Sequence, residues 1–415
     1  MKIENRRVLF LGVGGVSMHQ LAMSYKALGY TVLGYDLKQN EYTKICEDSG
    51  IEITHRFNKK FLQVDFAVRT GAIKDDNRYV LQLKKQGVQI IDRAQALGEL
   101  CSQFKCVIAV AGTHGKSTTS TLIYEILRAS GAKVSCHIGA DVFMPRFKLG
   151  DDFLVVEACE YNKSFLKLMP TISVVTNVEA EHMDSYGSLF KLRSAFLTFF
   201  KRGGVRFASK EKSTKFLEKA QNVNYVEANY EVQTKLKGEY NQKNIALALA
   251  VTRYLQVDEK IALKVIKNFG GVPRRYELIG AVNKTKVYID YAHHPTEVEA
   301  FTGTFMKENM NALIVFQPHT YSRTKTFLND FVKVFSSIKN LIIYKEYPAR
   351  EKRTSGLSAH DLYLAVKQFN PHVKYASTSK KLVQHMSEFS SVAFVGAGDI
   401  DLVAKKIVKS YQKNG

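Results

Sequence analysis

Short, wholly apolar runs alternate with amphipathic stretches along most of the chain. Val8-Leu9-Phe10-Leu11 is such a run. Gly12-Val13-Gly14-Gly15 follows it, then a helical stretch toward Leu28 and a second strand over Tyr30 to Tyr35. Runs that are apolar on both faces need cover on both sides, which crossover helices provide in a parallel sheet. A new unit starts near Cys106, with a strand at Val107 to Val110, a glycine loop at Gly112 to Lys116 and a helix over Thr118 to Ser130. That helix places Leu122, Ile123, Ile126 and Leu127 on one face, and Gly131 falls where a C-terminal cap belongs. Phe153 to Val156 and Ile172 to Val175 are further strands. After Pro273 the alternation resumes, with strands at Val287 to Ile289, Leu313 to Phe316, Leu341 to Tyr344 and Val392 to Val395. Between Arg202 and Lys237 the pattern weakens and assigns no strand, although Lys210 to Lys219 reads as helical. These breaks predict α/β domains over 1–100, 101–272 and 273–415.

Composition changes this picture little. A 415-residue chain that is 45% hydrophobic and 24% charged is an ordinary globular composition. The five cysteines are odd in number and form no C-x-x-C pair, which argues against a disulfide framework or a zinc site. No apolar run is long enough to cross a membrane and no signal-like region opens the chain, so the expected location is cytoplasmic with no membrane partner. The net charge of +21 admits nucleic-acid binding or a lysine-rich background on an enzyme with anionic substrates. The basic residues are dispersed and form no basic–aromatic module, which favours the second reading and no nucleic-acid partner.

The strongest chemical signal is Gly112-Thr113-His114-Gly115-Lys116-Ser117-Thr118 between a strand and a helix. Backbone N–H groups there, backed by a helix N-terminus, favour phosphate oxygens. Lys116 can reach terminal phosphates and Ser117 can place its hydroxyl on Mg²⁺. The longer form of such a loop carries glycine where this chain has Val110, so this is a shortened variant. Glu157 and His182 follow other strands, at the ends where ligands gather in parallel sheets, and could hold metal ions bridging ATP oxygens. The N-terminal Gly12-Val13-Gly14-Gly15-Val16-Ser17 nearly matches a dinucleotide fingerprint, with Ser17 at the third-glycine position and Asp36 ending the second strand. A nicotinamide oxidoreductase is the alternative reading. A second, ATP-type loop in the same chain argues instead for two nucleotide-bearing ligands.

Taken in order, these motifs resemble those of the Mur ligase family of peptidoglycan synthesis. The resemblance also rests on Glu157-Ala158-Cys159-Glu160-Tyr161, the Thr176 to Asp184 segment, Gly238 to Asn244, Arg274-Arg275, Asp290 to Glu297, Phe316 to Thr324 and Gly396 to Ile400. It implies three α/β domains: an N-terminal Rossmann-like domain holding a UDP-sugar, a central P-loop-type ATP-binding domain and a C-terminal Rossmann-like domain. It implies an ATP-dependent ligase that joins UDP-N-acetylmuramate to L-alanine through an acyl phosphate, as a monomer or homodimer. A ligase adding a murein tripeptide, or a non-catalytic protein of the same fold, are the alternatives.

Site roles follow from the same resemblance. Gly112, Thr113, His114, Gly115, Lys116, Ser117, Thr118, Asn241, Asn244, Arg275 and Asp290 would bind ATP. Ser117, Glu157 and His182 would hold Mg²⁺. Lys116, Glu157, His182, Arg275 and Asp290 would serve catalysis. Gly14, Gly15, Val16, Ser17, Asp36, Glu160, His319 and Arg323 would contact the other substrates. The chain departs from the family pattern at Thr320, where an arginine is frequent, at Tyr240 and Ile289, and at Arg69-Thr70-Gly71 and Asn77-Arg78-Tyr79. The stretch from His182 to Gly238 is also short.

Overall fold

The computed structural model describes residues 6–139, 147–148, 150–229, 232–349 and 351–412. Three sheets carry the architecture. The first contains β1 (Arg7–Leu11), β2 (Thr31–Tyr35), β3 (Glu52–Thr54), β4 (Phe66–Arg69) and β5 (Gln89–Asp92), all parallel, in the order β3-β2-β1-β4-β5. The chain leaves β1 between two neighbours that wind in opposite directions, which opens a crevice at its carboxyl end.

The second sheet contains β6 (Cys106–Ala111), β7 (Val134–His137), β8 (Phe153–Glu157), β9 (Ile172–Val175), β10 (Val205–Ser209) and β11 (Val223–Val226), again all parallel. Its order, β11-β10-β9-β6-β8-β7, puts β6 between β8 and β9. The loop after β6 therefore emerges beside the ends of the strands that lead to Glu157 and toward His182. The third sheet contains β12 (Glu277–Val282), β13 (Thr285–Asp290), β14 (Ala312–Phe316), β15 (Leu341–Tyr344), β16 (Lys374–Ala376) and β17 (Ser391–Val395). It is parallel except for the β12–β13 edge pair.

The chain forms two compact units. One holds the first two sheets and Glu239–Phe269; the other holds Leu236–Gly238 and the chain from Gly270 onward. In the first unit one continuous apolar core joins Val8, Phe10, Val68 and Ile91 to Val107, Ala109, Leu154 and Val156, with Ala96, Leu97 and Leu100 of the helix Arg93–Cys101 between them. In the second unit both faces of the third sheet are covered, by clusters built on Ile314, Phe316 and Phe335 and on Val315, Ile342 and Phe394.

The apolar strands lie within a residue or two of their expected places. The helix after the glycine loop starts earlier than expected, at Lys116 rather than Thr118, and ends at Ala129. Gly131 is left-handed (φ 85°) just beyond the cap, as its position predicts. The stretch left unassigned between Arg202 and Lys237 contains β10 and β11. Their apolar pattern is interrupted by Arg206 and Asn224 because β11 is the sheet edge and needs only partial cover. Lys210 to Lys219 is not an α-helix: a turn precedes a short 3₁₀ helix, Lys215–Ala220, in which only Leu217 and Ala220 are buried.

Candidate nucleotide and carboxylate site

The glycine loop between β6 and the helix Lys116–Ala129 is clamped by the residues that follow β9. Thr113 N donates to Asn177 O at 3.0 Å, His114 N to Asn177 Oδ1 at 2.9 Å and Glu179 N to Thr113 Oγ1 at 2.9 Å. Two positions demand glycine. Gly112 has φ 145°, and a Cβ there would stand 1.9 Å from Thr176 Oγ1. Gly115 has φ 82°, and its Cβ would stand 2.3 Å from Asn244 Oδ1. Asn244 donates to Asn241 Oδ1 at 3.1 Å and meets Thr119 Oγ1 at 3.3 Å. Both asparagines are buried on the helix Glu239–Tyr254, against the loop and the helix it starts.

Ser117 Oγ donates to Glu157 Oε2 at 2.9 Å, and the same oxygen accepts Gly139 N at 3.1 Å. Lys116 turns back over the loop. Its Nζ donates to Gly112 O at 2.5 Å and Thr113 O at 3.1 Å, and lies 3.1 Å from Glu160 Oε2. Burial by itself would depress the lysine pKa. Glu160, backed by Glu157, Cys159 and Glu181, overcomes that effect and holds the ammonium above its ordinary value. Burial pushes the Glu160 carboxyl up, but Lys116 and a hydrogen bond from His182 outweigh it, so its pKa lies below the usual range. Both directions describe a charged pair.

His182 sits in the left-handed region (φ 57°), a conformation histidine adopts more readily than most residues. Its Nε2 is 3.6 Å from Glu160 Oε1, and one ligand atom each of Glu160, Glu181 and His182 lies within 4.8 Å of the others. Tyr186 fixes the adjoining backbone by donating to Glu160 O at 2.6 Å. The three residues expected to hold metal are thus brought into two groupings: Ser117 with Glu157, and His182 with Glu160 and Glu181. Glu160, expected at the substrate, is committed to Lys116. The serine–glutamate pair offers hard oxygen donors of the kind Mg²⁺ takes.

At the end of β1 the N-terminal turn is held by Asp36, whose Oδ2 accepts Gly14 N at 2.8 Å, and by Asn40, whose Nδ2 donates to Gly14 O at 3.0 Å. Gly15 caps the helix Val16–Ala27. Ser17 points to the second sheet: its Oγ accepts Arg93 Nη1 at 2.9 Å and is 2.8 Å from His137 Nε2.

The second unit carries its own group. Asp290 ends β13, and each of its carboxylate oxygens accepts a backbone N–H at 2.8 Å, from Tyr276 and from Ala292. Burial raises its pKa to about 6, against the opposing pull of Arg275. Arg275 Nη1 is 3.4 Å from Glu297 Oε1. The His319 ring stacks on Tyr347 at 5.7 Å and meets His293 edge-on at 5.9 Å. Arg323 lies in the first turn of the helix Tyr321–Thr326, capped by Thr320 in a left-handed φ of 68°.

Sequence reasoning missed Arg93 and His137. Neither belongs to a spaced motif. The only signal was a polar residue following a strand (Arg93) and one ending a strand (His137).

Three family profiles match the chain: "Mur ligase family, catalytic domain" over residues 7–105, "Mur ligase middle domain" over 110–208 and "Mur ligase, glutamate ligase domain" over 274–402. Among relatives, a UDP-N-acetylmuramate–L-alanine ligase of Caldicellulosiruptor bescii is 32% identical, with 97% of this chain and all of that protein aligned. One from Caldanaerobacter subterraneus subsp. tengcongensis is 34% identical, with 98% of both chains covered. The crystal structure of a UDP-N-acetylmuramate–alanine ligase from Thermotoga maritima superposes with a TM-score of 0.82 at 22% identity, over 99% of this chain and 100% of that one. A murein peptide ligase from Psychrobacter arcticus gives 0.70 at 20% identity, over 98% of each chain. These two structures share the fold.

Proposed function

The chain belongs to the Mur ligase family, and from that premise we propose that it uses ATP to join the carboxylate of UDP-N-acetylmuramate to the amine of L-alanine. The observation that carries the reading is the meeting of Lys116, Ser117, Glu157, Glu160 and His182 at the carboxyl ends of β6, β8 and β9. A phosphate-binding loop, a buried cation and oxygen donors for a divalent ion are what phosphoryl transfer to a carboxylate requires.

Residues 101–272 would bind ATP, residues 1–100 the sugar nucleotide, and residues 273–415 would supply groups toward ATP and the amino acid. ATP phosphates would lie on the N–H groups of Gly112 to Thr118. Lys116 would exchange its carbonyl partners at Gly112 and Thr113 for β- and γ-phosphate oxygens while keeping Glu160. Ser117 and Glu157 would hold one Mg²⁺, and His182 a second; ions bound there would neutralise charge building on the phosphate oxygens. The muramate carboxylate would attack the γ-phosphorus, giving an acyl phosphate as the bond to the β,γ-bridging oxygen breaks and ADP leaves. The alanine amine, as its free base, would then attack the acyl carbon; the nitrogen gives up a proton as the C–O bond to phosphate breaks and inorganic phosphate leaves. Asn241 and Asn244 would lie beside the nucleotide. Arg275 and Asp290 would serve ATP; His319 and Arg323 would face the amino acid.

The test is ADP release with UDP-N-acetylmuramate and a panel of L-alanine, glycine, L-serine and a murein tripeptide. Turnover that requires the sugar nucleotide and is fastest with L-alanine is the expected result. Turnover with the tripeptide and none with alanine would reassign the amine. ATP and sugar-nucleotide binding without ADP release under any amine would leave a non-catalytic protein.

A further inference from the structure

Two side chains of the first helix reach across to the strand beside Glu157. Ser17 and Gln20 are three residues apart and so lie on one face of Val16–Ala27. Ser17 Oγ pairs with His137 Nε2 at 2.8 Å, and Gln20 Nε2 donates to Ile138 O at 2.9 Å. The next residue, Gly139, donates its N–H to Glu157 Oε2, the oxygen that also accepts Ser117. Consecutive residues 137, 138 and 139 therefore carry a hydrogen-bonded connection from the helix that follows the N-terminal glycine turn to the acidic group beside the phosphate loop. His137 is 3% exposed, and His137, Ser17 and Gln20 all lie within the first compact unit.

The chemistry of the link is one-sided. Arg93 Nη1 donates to Ser17 Oγ, leaving that hydroxyl free to donate its own proton to an unprotonated His137 Nε2. Burial, then Arg93 and His19, hold the imidazole neutral, with a pKa near 3, so this arrangement does not change through the working pH range. His137 Nδ1 has no hydrogen-bond partner among the described residues. A buried imidazole nitrogen left unpaired costs free energy, and among the described residues the ring's hydrogen bond is the one to Ser17.

We infer that Ser17, Gln20 and His137 form a positioning chain through which a ligand on the N-terminal glycine turn sets Gly139 and Glu157 for the nucleotide at the phosphate loop, with His137 as its replaceable link. A ligand that orders the start of the helix orders the 137–139 segment with it. The second ligand then meets an acidic group already in place, which is positive coupling between the two sites. The inference rests on the assignment of a sugar nucleotide to the first turn and ATP to the second.

The experiment is calorimetric titration of UDP-N-acetylmuramate into the full chain, alone and with saturating ADP and Mg²⁺, for the native protein, Ser17→Ala, His137→Leu, His137→Gln and Ser17→Ala/His137→Leu. The native protein should bind the sugar nucleotide at least roughly fivefold more tightly with ADP present. His137→Leu should bring that ratio to within roughly twofold of unity, and His137→Gln, which can place an amide at the reach of Nε2, should restore most of it. The double variant should lose no more coupling than His137→Leu alone, because both changes break the same Ser17–His137 bond. A native-like ratio in His137→Leu, or additive losses in the double variant, would overturn the inference; if the leucine variant does not fold, Ser17→Ala decides the matter, since it breaks the same bond and a native-like ratio in it would overturn the inference. Native protein that binds no UDP-N-acetylmuramate would overturn the proposed function and the coupling together. Native protein that binds both ligands independently would overturn the coupling alone.

Discussion

Lys116 and Glu160 have side chains 14% and 3% exposed and stand 3.1 Å apart, so neither can be replaced without leaving the other's charge buried. Breaking a buried pair by removing one partner typically costs about 3–5 kcal/mol. Lys116→Met should therefore lose turnover by roughly 10³-fold or more, as expected when a charge at the reacting phosphates is removed, and should also unfold more easily. Adding Glu160→Gln should recover most of the stability and none of the activity. Denaturant midpoints and ADP release for the single and double variants check this; a single variant as stable as the native chain would mean the pair is not charged.

His137 gives a separate prediction with a definite sign. Its pKa falls from 6.5 in an ordinary setting to about 3 here, chiefly through burial. Below pH 6.5 the unfolded chain takes up a proton that the folded chain refuses. Its contribution is thus complete above pH 6.5 and is lost as pH falls toward 3, at about 1.4 kcal/mol per unit. Between pH 7 and pH 5 the native protein should lose about 2 kcal/mol more stability than His137→Gln, measured by urea titration with far-UV circular dichroism. Equal losses would mean the ring is solvated or charged in the folded state.

At the scale of elements, the glycine loop shows why so much of the central sheet was legible. β6, β8 and β9 are covered on both faces and read as apolar runs, broken within β9 only by the small buried Ser173, and the loop between β6 and its helix carries its own residue signature. β10 and β11 approach the sheet edge, where polar residues are tolerated, so the same reading fails there. The site was legible where a motif carried it, as with Lys116, Ser117 and Glu157. It was not legible where partners come from distant segments: Ser17 is 120 positions from His137 and 76 from Arg93, and no local spacing announces either contact. The loop's backbone is testable directly. Gly112→Ala forces a β-carbon against Thr176 Oγ1 and a side chain into φ 145°, and should cost on the order of 1–3 kcal/mol while weakening ATP binding. Thr176→Ala in the same chain should return only the part due to the clash. An alanine variant with native melting temperature and native affinity for ATP would show that the loop relaxes freely.

At the scale of the whole molecule, the net charge of +21 bears on rates rather than on the fold. Both proposed nucleotide substrates are anions, and a positive field speeds their encounter without tightening the transition state. Screening should remove this: as ionic strength rises from about 10 to about 300 mM, kcat/KM for UDP-N-acetylmuramate should fall several-fold while kcat stays nearly constant. Direct contacts by Lys116 would also weaken in salt, so the distant field must be separated from them. Lys267, Lys339 and Lys380 are exposed and belong to none of the groups described above. Changing all three to glutamate takes two units of positive charge from each position, which lowers the formal charge from +21 to +15. If the field acts at long range, this variant should show a lower kcat/KM at low salt, a shallower salt dependence and an unchanged kcat. If its salt dependence matches that of the native chain, the surplus lysines play no part in substrate capture, and the response to salt belongs to the site alone.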